Sequence, residues 1–156
     1  MADRPVGTEP ATVARTVVAA AATSVPFLVV HVEDDDAMRA SVRLLLRSAG
    51  LQVVSVASGA EALQRVRADK LVPDVLIVDF HLAGEMTGAD VAEALARAVG
   101  HAPPTIVLTA DPSNAELPWM TGAPLWMLGK PFDGDVLLAG VDSLARFHRL
   151  THAAHQ

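Results

Sequence analysis

Five short apolar runs follow one another along the chain, each bounded by polar or turn-forming residues. They cover 27–32, 51–56, 74–78, 105–108 and 124–128. Valine and isoleucine are frequent in the first four, and short runs of this kind are typical of strands buried on both faces of a sheet. The pattern therefore predicts five buried strands.

The segments between these runs show helical periodicity. Helices are predicted over 35–49, from Ser58 through Val66, over 88–99, and from Asp133 through His148. Asp36 is expected to be the N-cap of the first helix, and Gly50 its C-terminal stop. Pro118 lies between the fourth and fifth runs and would break the interior of a helix. The helix in that segment is therefore expected to be short or irregular.

Strands that alternate with helices predict an α/β domain, with a doubly wound, five-stranded parallel sheet and helices on both faces. We assign residues 26–150 to this domain. Residues 1–25 are expected to form a flexible N-terminal tail and 151–156 a C-terminal tail. The apolar stretch 17–23 is too short to cross a bilayer, and Asp3 and Glu9 argue against a secretory signal. We therefore expect a cytoplasmic protein without membrane contact.

Composition narrows the classes of function. The chain has 156 residues, of which 51% are hydrophobic and 19% charged, so it can bury a core and is not a disordered chain. Its net charge of −6 disfavours nucleic acid as a partner. The absence of cysteine from the sequence excludes disulfides, thiol catalysis and cysteine-ligated zinc.

Polar side chains that could carry chemistry follow four of the predicted strands. Glu33 and Asp34 follow the first strand, Asp79 the third, Thr109 the fourth and Lys130 the fifth. In parallel α/β folds, ligands bind at the edge where the carboxyl ends of the strands meet. We interpret Asp35 and Asp36 as ordinary loop or cap residues, but the set as a whole predicts a functional site.

These residue types suit phosphoryl chemistry. Three carboxylates crowded at one edge repel one another unless a cation lies among them, and an oxygen-only donor set suits Mg²⁺ better than zinc. An aspartate carboxylate can accept a phosphoryl group to form an acyl phosphate. An ammonium group and a hydroxyl could then neutralise the phosphoryl oxygens.

Five motifs, in their order and spacing, resemble those of response regulator receiver domains of the CheY-like type. They are Val32-Glu-Asp-Asp-Asp-Ala-Met-Arg39, Ser58-Gly-Ala-Glu-Ala-Leu63, Pro73-Asp-Val-Leu-Ile-Val-Asp79, Leu108-Thr-Ala110 and Lys130-Pro-Phe132. The resemblance covers about residues 26–147 and implies the strand order 2-1-3-4-5. Met127 departs from the pattern, because the family usually has tyrosine or phenylalanine there.

The resemblance also implies a role for each residue at the strand ends. Asp79 would be the phosphoacceptor. Mg²⁺ would be held by Asp79, by Asp34 directly, by Glu33 through water and by the backbone carbonyl of His81. Thr109 and Lys130 would contact the phosphoryl group. The protein would be a phosphorelay switch rather than an enzyme, assisting its own aspartyl phosphorylation and dephosphorylation. Its partner would be a sensor or hybrid histidine kinase or a histidine phosphotransfer protein.

Two other classes of function stay open. A phosphatase of the haloacid dehalogenase type also uses a strand-end aspartate and Mg²⁺, but it needs a second aspartate where His81 stands. A binding module could keep the fold without being phosphorylated. Only nine residues follow Phe147, so output is expected through contact with another protein, whose identity the sequence does not indicate. A weak dimer is left open.

Two further patterns are interpreted as solvated surfaces. His148 and His152 stand one helical turn apart with His155 beyond, a spacing that could hold a metal, but no carboxylate or cysteine nearby completes the site. The arginines at 39, 43 and 47 line one face of the first helix. A surface for docking a kinase is the alternative interpretation of those arginines.

Overall fold

The computed structural model describes residues 25–114 and 123–153. Strands and helices alternate along these residues. The strands are β1 (Leu28–Val32), β2 (Gln52–Val56), β3 (Val75–Asp79), β4 (Thr105–Thr109) and β5 (Leu125–Gly129). The α-helices are α1 (Asp36–Ser48), α2 (Gly59–Ala68), α3 (Gly88–Val99) and α4 (Gly134–Ala153).

The five strands form one parallel sheet in the order β2-β1-β3-β4-β5, as expected. β1 lies between β2 and β3, so that Val30 is opposite Val54 on one side and Leu76 on the other. Every residue of β3 and β4 is buried. This burial explains why their sequences are continuous apolar runs rather than alternating ones.

Helices cover both faces of the sheet, and the sheet separates the hydrophobic core into two clusters. On one face Val32 and Val78 pack with Val66 of α2 and Leu95 of α3. The other face carries Ile77, which packs with residues of α1 and α4 including Leu46 and Leu137. Most of these side chains are fully buried, and burying each stabilises the fold by about 1.5–3 kcal/mol.

The ends of the helices are set by local hydrogen bonds. Asp35, and not Asp36 as predicted, is the N-cap of α1, because its side chain accepts a hydrogen bond from the Met38 backbone N–H. Asp36 is already the first helical residue and pairs with Arg39. Gly50 follows the helix with a φ of 83°, a conformation that glycine adopts without strain.

The structure bears on the predicted C-terminal tail and on the segment after β4, and part of each lies outside the described residues. α4 continues to Ala153 and so includes the first three residues of the expected C-terminal tail. After β4 the chain forms a short 3₁₀ helix, Pro112–Asn114. Pro118 and the rest of the segment 115–122 lie outside the described residues, as does the expected N-terminal tail up to residue 24. Among the described helices, none is both long and apolar enough to cross a bilayer.

Burial of His31 in the middle of β1 predicts a pH-dependent stability. The side chain is fully buried, with Nδ1 2.9 Å from the Ser55 hydroxyl oxygen. Burial, followed by the positive charges of Arg39 and Lys130, lowers the pKa of His31 from 6.5 to about 4. In the unfolded chain His31 therefore becomes protonated near pH 6.5, whereas in the folded protein it becomes protonated only near pH 4. We expect the contribution of His31 to the free energy of unfolding to fall by up to about 3 kcal/mol as the pH drops through this window.

Urea unfolding at several pH values measures this effect. As the pH falls from 6.5 to 4, the free energy of unfolding of His31→Gln should rise relative to that of the wild type, because glutamine does not titrate. The matched control is His81→Gln, since His81 is exposed, and its pH dependence should equal that of the wild type. Equal slopes in all three proteins would show that His31 does not couple folding to pH.

Candidate functional site

Four of the predicted site residues lie together where the strands end. Lys130 Nζ lies 2.8 Å from Asp79 Oδ2 and 3.4 Å from Glu33 Oε2. One carboxylate oxygen each from Glu33, Asp34 and Asp79 lies within 4.8 Å of the other two. Because β1 and β3 are adjacent and parallel, their carboxyl ends bring residues 46 positions apart into one cluster. We call these four residues the acidic site.

Backbone hydrogen bonds orient the carboxylates that follow β1. The Glu33 N–H donates to the Val56 carbonyl, which continues the pairing with β2 past the end of the strand. Glu33 Oε1 accepts from the Asp35 N–H, and Asp34 Oδ2 accepts from the Ala83 N–H at 3.0 Å. The last of these bonds lowers the pKa of Asp34, so this side chain is ionised at neutral pH.

Asp79 is the last residue of β3 and is 8% exposed. Its two carboxylate oxygens have different partners. Oδ1 accepts a hydrogen bond from the His81 backbone N–H at 3.2 Å, and Oδ2 is paired with Lys130. The carboxylate is thus held in one orientation, at the wall of a cleft of about 550 Å³ whose lining also includes Met38 and Ser41 of α1.

The charges in the acidic site are not balanced by protein groups alone. Burial, followed by the charge of Asp79, raises the pKa of Glu33 to about 7. Burial disfavours the charged form of Lys130, but its hydrogen bond to Asp79 and the two carboxylates outweigh this and raise its pKa. Three carboxyl groups therefore share one ammonium group.

This donor set fits Mg²⁺. All the side-chain donors are carboxylate oxygens, which are the ligands that this ion takes in proteins, and they lie close enough to converge on one ion. Burial, followed by the charge of Asp79, raises the pKa of Glu33, and a divalent cation among the three carboxylates would reduce the repulsion between them.

Thr109 and His81 lie at the same edge of the sheet in different settings. Thr109 is buried at the end of β4, its carbonyl accepts from the Lys130 N–H at 2.7 Å, and its Oγ1 accepts from the Asp111 N–H at 3.3 Å. The His81 ring is exposed and packs edge-on against Phe80. Only the backbone of His81 therefore contacts the acidic site.

Sequence reasoning missed Arg39 as part of this region. Its guanidinium group donates to the Glu33 carbonyl oxygen at 3.0 Å and pairs with Asp36. Helical spacing had placed it on a solvated arginine stripe, and Arg43 and Arg47 are indeed exposed. Its contact with Glu33 depends on how α1 leaves β1, which the spacing does not reveal.

The same part of the chain is similar to known proteins. Residues 29–142 match the response regulator receiver domain family. The chain is 36% identical over 114 residues to nodulation protein W of Bradyrhizobium diazoefficiens, covering 73% of this chain and 49% of that protein. Its identity to the transcriptional regulatory protein CseB of Streptomyces coelicolor is 33% over 127 residues, covering 80% and 51%. The solved structure of the chemotaxis protein CheY4 of Vibrio cholerae is 29% identical with a TM-score of 0.66, covering 77% of this chain and 99% of that one.

The chain therefore belongs to the response regulator receiver domain family, the receiver part of two-component signalling systems. It has the CheY-like fold that the sequence motifs predicted. The chain spans about half the length of the curated relatives that it matches.

Lys130→Ala is expected to lower the affinity for a phosphoryl mimic while the protein stays folded. Lys130 is partly solvent-accessible and is the ammonium group paired with Asp79. A hydrogen bond between charged groups contributes about 1.5–3 kcal/mol, so the affinity for beryllofluoride, a phosphoryl mimic, should fall about tenfold to a hundredfold. Lys70→Ala is the matched control, because Lys70 is exposed and is the only other lysine in the sequence.

Titration of beryllofluoride, followed by tryptophan fluorescence or NMR, measures the affinity. Cooperative urea unfolding shows that each variant is folded. An unchanged affinity in a folded Lys130→Ala protein would show that this ammonium group does not bind the phosphoryl group.

Proposed function

We propose that the protein is a phosphoacceptor switch that receives a phosphoryl group from a phosphohistidine on Asp79. In this reaction a carboxylate oxygen of Asp79 attacks phosphorus, the phosphorus–nitrogen bond to histidine breaks, and an acyl phosphate forms. The observation that carries the proposal is the 2.8 Å pair between Lys130 Nζ and Asp79 Oδ2 at the wall of an open cleft. It supplies a nucleophile held in one orientation and a positive charge beside it.

Mg²⁺ would be held by Glu33, Asp34 and Asp79 together with the backbone carbonyl of His81. When bound, the ion supplies positive charge that stabilises the oxygens of the transferred group. The protein's own contribution is the orientation of its carboxylates by the backbone N–H groups of Asp35, Ala83 and His81. Thr109 would add a hydroxyl group after phosphorylation, from the end of the neighbouring strand.

The donor would be a sensor or hybrid histidine kinase or a histidine phosphotransfer protein. Such a partner must bring an imidazole into the cleft beside α1, and the exposed Arg43 and Arg47 on that helix offer it a positively charged surface.

Output would pass by contact with a further protein. A cytoplasmic location, a weak dimer and the absence of nucleic acid binding belong to this proposal. The matched region covers only about half of the relatives named as transcriptional regulators.

Phosphoryl transfer with and without Mg²⁺ tests the proposal. The protein should become labelled by acetyl phosphate or by a phosphorylated kinase when Mg²⁺ is present, and chelation should abolish the labelling. The phosphatase alternative predicts continuous hydrolysis of an added phosphomonoester, and the binding-module alternative predicts no labelling under any condition. Either of these two results would overturn the proposed function.

A further inference from the structure

A cluster of three histidines lies at the opposite edge of the sheet from the acidic site. We propose that His101, His148 and His152 form a second metal site, for Zn²⁺ or a similar transition metal that prefers imidazole nitrogen. One ligand nitrogen from each ring lies within 4.8 Å of the other two. The site does not depend on the proposed phosphoacceptor function, because its residues are separate from the acidic site.

The distances fit imidazole ligands that converge on one ion. His101 Nε2 and His148 Nε2 are 3.0 Å apart. Zinc–nitrogen distances of about 2.0–2.1 Å place two nitrogens of a tetrahedral site about 3.3 Å apart. The His152 ring lies beside both others, with its centroid 4.1 Å from that of His101 and 4.2 Å from that of His148.

Acceptor groups of the protein direct two of the three rings. His148 Nδ1 lies 3.0 Å from Asp74 Oδ1, and His152 Nδ1 lies 2.9 Å from the His148 carbonyl oxygen. Carbonyl and carboxylate oxygens only accept, so each Nδ1 carries the hydrogen and each Nε2 of the neutral ring presents a lone pair. A carboxylate behind a metal-binding histidine is the arrangement that orients such ligands and raises their basicity.

Asp74 is well placed for this supporting role. It is 5% exposed and immediately precedes β3, whereas Asp79 ends that strand. Five residues of parallel strand span about 16 Å, so the two sites are at opposite ends of β3. Asp74 also accepts hydrogen bonds from Arg149 and from the Leu28 N–H, which hold the carboxylate in place.

The site can exchange ions with solvent. The histidines line a cleft of about 290 Å³ together with Pro104, Pro124 and Phe147. His148 is nearly fully buried, while His101 and His152 are half-buried on the side of the cleft. Three protein nitrogens leave one position of a tetrahedral ion for water.

Titration of the full chain with Zn²⁺, in the presence of excess Mg²⁺ to occupy the acidic site, tests the proposal. We expect one equivalent to bind and to raise the melting temperature, since the ion joins the end of α4 to the segment before β4. His101→Ala and His152→Ala should weaken binding at least about a hundredfold, and Asp74→Asn about 10–100-fold. Asp142→Asn, which changes an exposed side chain of α4 outside both sites, should bind as the wild type does. Cooperative unfolding confirms that each variant is folded.

Co²⁺ provides a measurement that needs no variant. The wild-type protein should develop the visible absorption of a tetrahedral site with nitrogen ligands, and Zn²⁺ should displace it. Three results would overturn the proposal: no binding of Zn²⁺, equal binding in the wild type and in folded His101→Ala and His152→Ala proteins, or loss of binding in Asp79→Asn instead. The last would place the ion in the acidic site.

Discussion

The Asp79→Asn variant is expected to take up no phosphoryl group, from acetyl phosphate or from a phosphorylated kinase. Asparagine keeps the size of the side chain but removes the anionic oxygen that attacks phosphorus. Asp79 Oδ2 is also the partner of Lys130 at 2.8 Å, so the substitution removes the nucleophile and breaks its ion pair with the lysine. Labelling should fall to the background of the assay rather than by a modest factor.

Two further variants make this result specific. Asp142→Asn changes an exposed carboxylate of α4 and should be labelled as fully as the wild type. Asp34→Asn leaves Asp79 in place but removes an expected Mg²⁺ ligand, so its labelling should be slow and should need more Mg²⁺. Wild-type labelling of Asp79→Asn would assign the acceptor to another residue.

Asp74→Ala is expected to lower the free energy of unfolding by about 3 kcal/mol, within the range for breaking a buried ion pair. Burial raises the pKa of Asp74, but hydrogen bonds from Arg149, the Leu28 N–H and His148 outweigh it and leave the pKa lowered. This carboxylate therefore joins the start of β1 and the end of α4 to β3. Alanine would leave these donors without their acceptor in a largely buried place.

Urea unfolding at pH 7 measures the change in stability. Asp142→Ala is the matched control, because Asp142 pairs with Arg146 on the surface of the same helix, and surface pairs contribute little. Its unfolding midpoint should stay close to that of the wild type. Equal midpoints for the two alanine variants would show that the hydrogen bonds of Asp74 do not stabilise the contacts among β1, β3 and α4.

Much of the fold follows from simple sequence patterns. The strands could be predicted because a sheet covered on both faces demands continuous apolar runs, such as Val75 to Val78. The acidic site could be located because the residues at the carboxyl ends of parallel strands lie at the same edge of the sheet. The pairing of Asp79 with Lys130, 51 positions apart, needed no knowledge of the helices.

Other features depend on three-dimensional packing that the sequence does not display. Asp35 and Asp36 are chemically identical candidates for the cap of α1, and the exit of the chain from β1 decides between them. His101 has no periodic relation to the histidines of α4, so a third imidazole beside His148 and His152 could not be predicted from spacing. The sequence pattern predicted Asp74 as the first residue of a strand. In the structure it precedes β3 and joins that strand to the start of β1 and the end of α4.

Chemical trapping of the acyl phosphate tests the central claim most directly. Borohydride reduces an aspartyl phosphate to homoserine and leaves free aspartate unchanged, so peptide mass spectrometry identifies the modified residue. After phosphorylation of the full chain in the presence of Mg²⁺, homoserine should appear at position 79 and be absent from chelated samples. Homoserine at position 34, or a phosphoryl group retained on a histidine, would contradict the assignment of Asp79 as the phosphoacceptor.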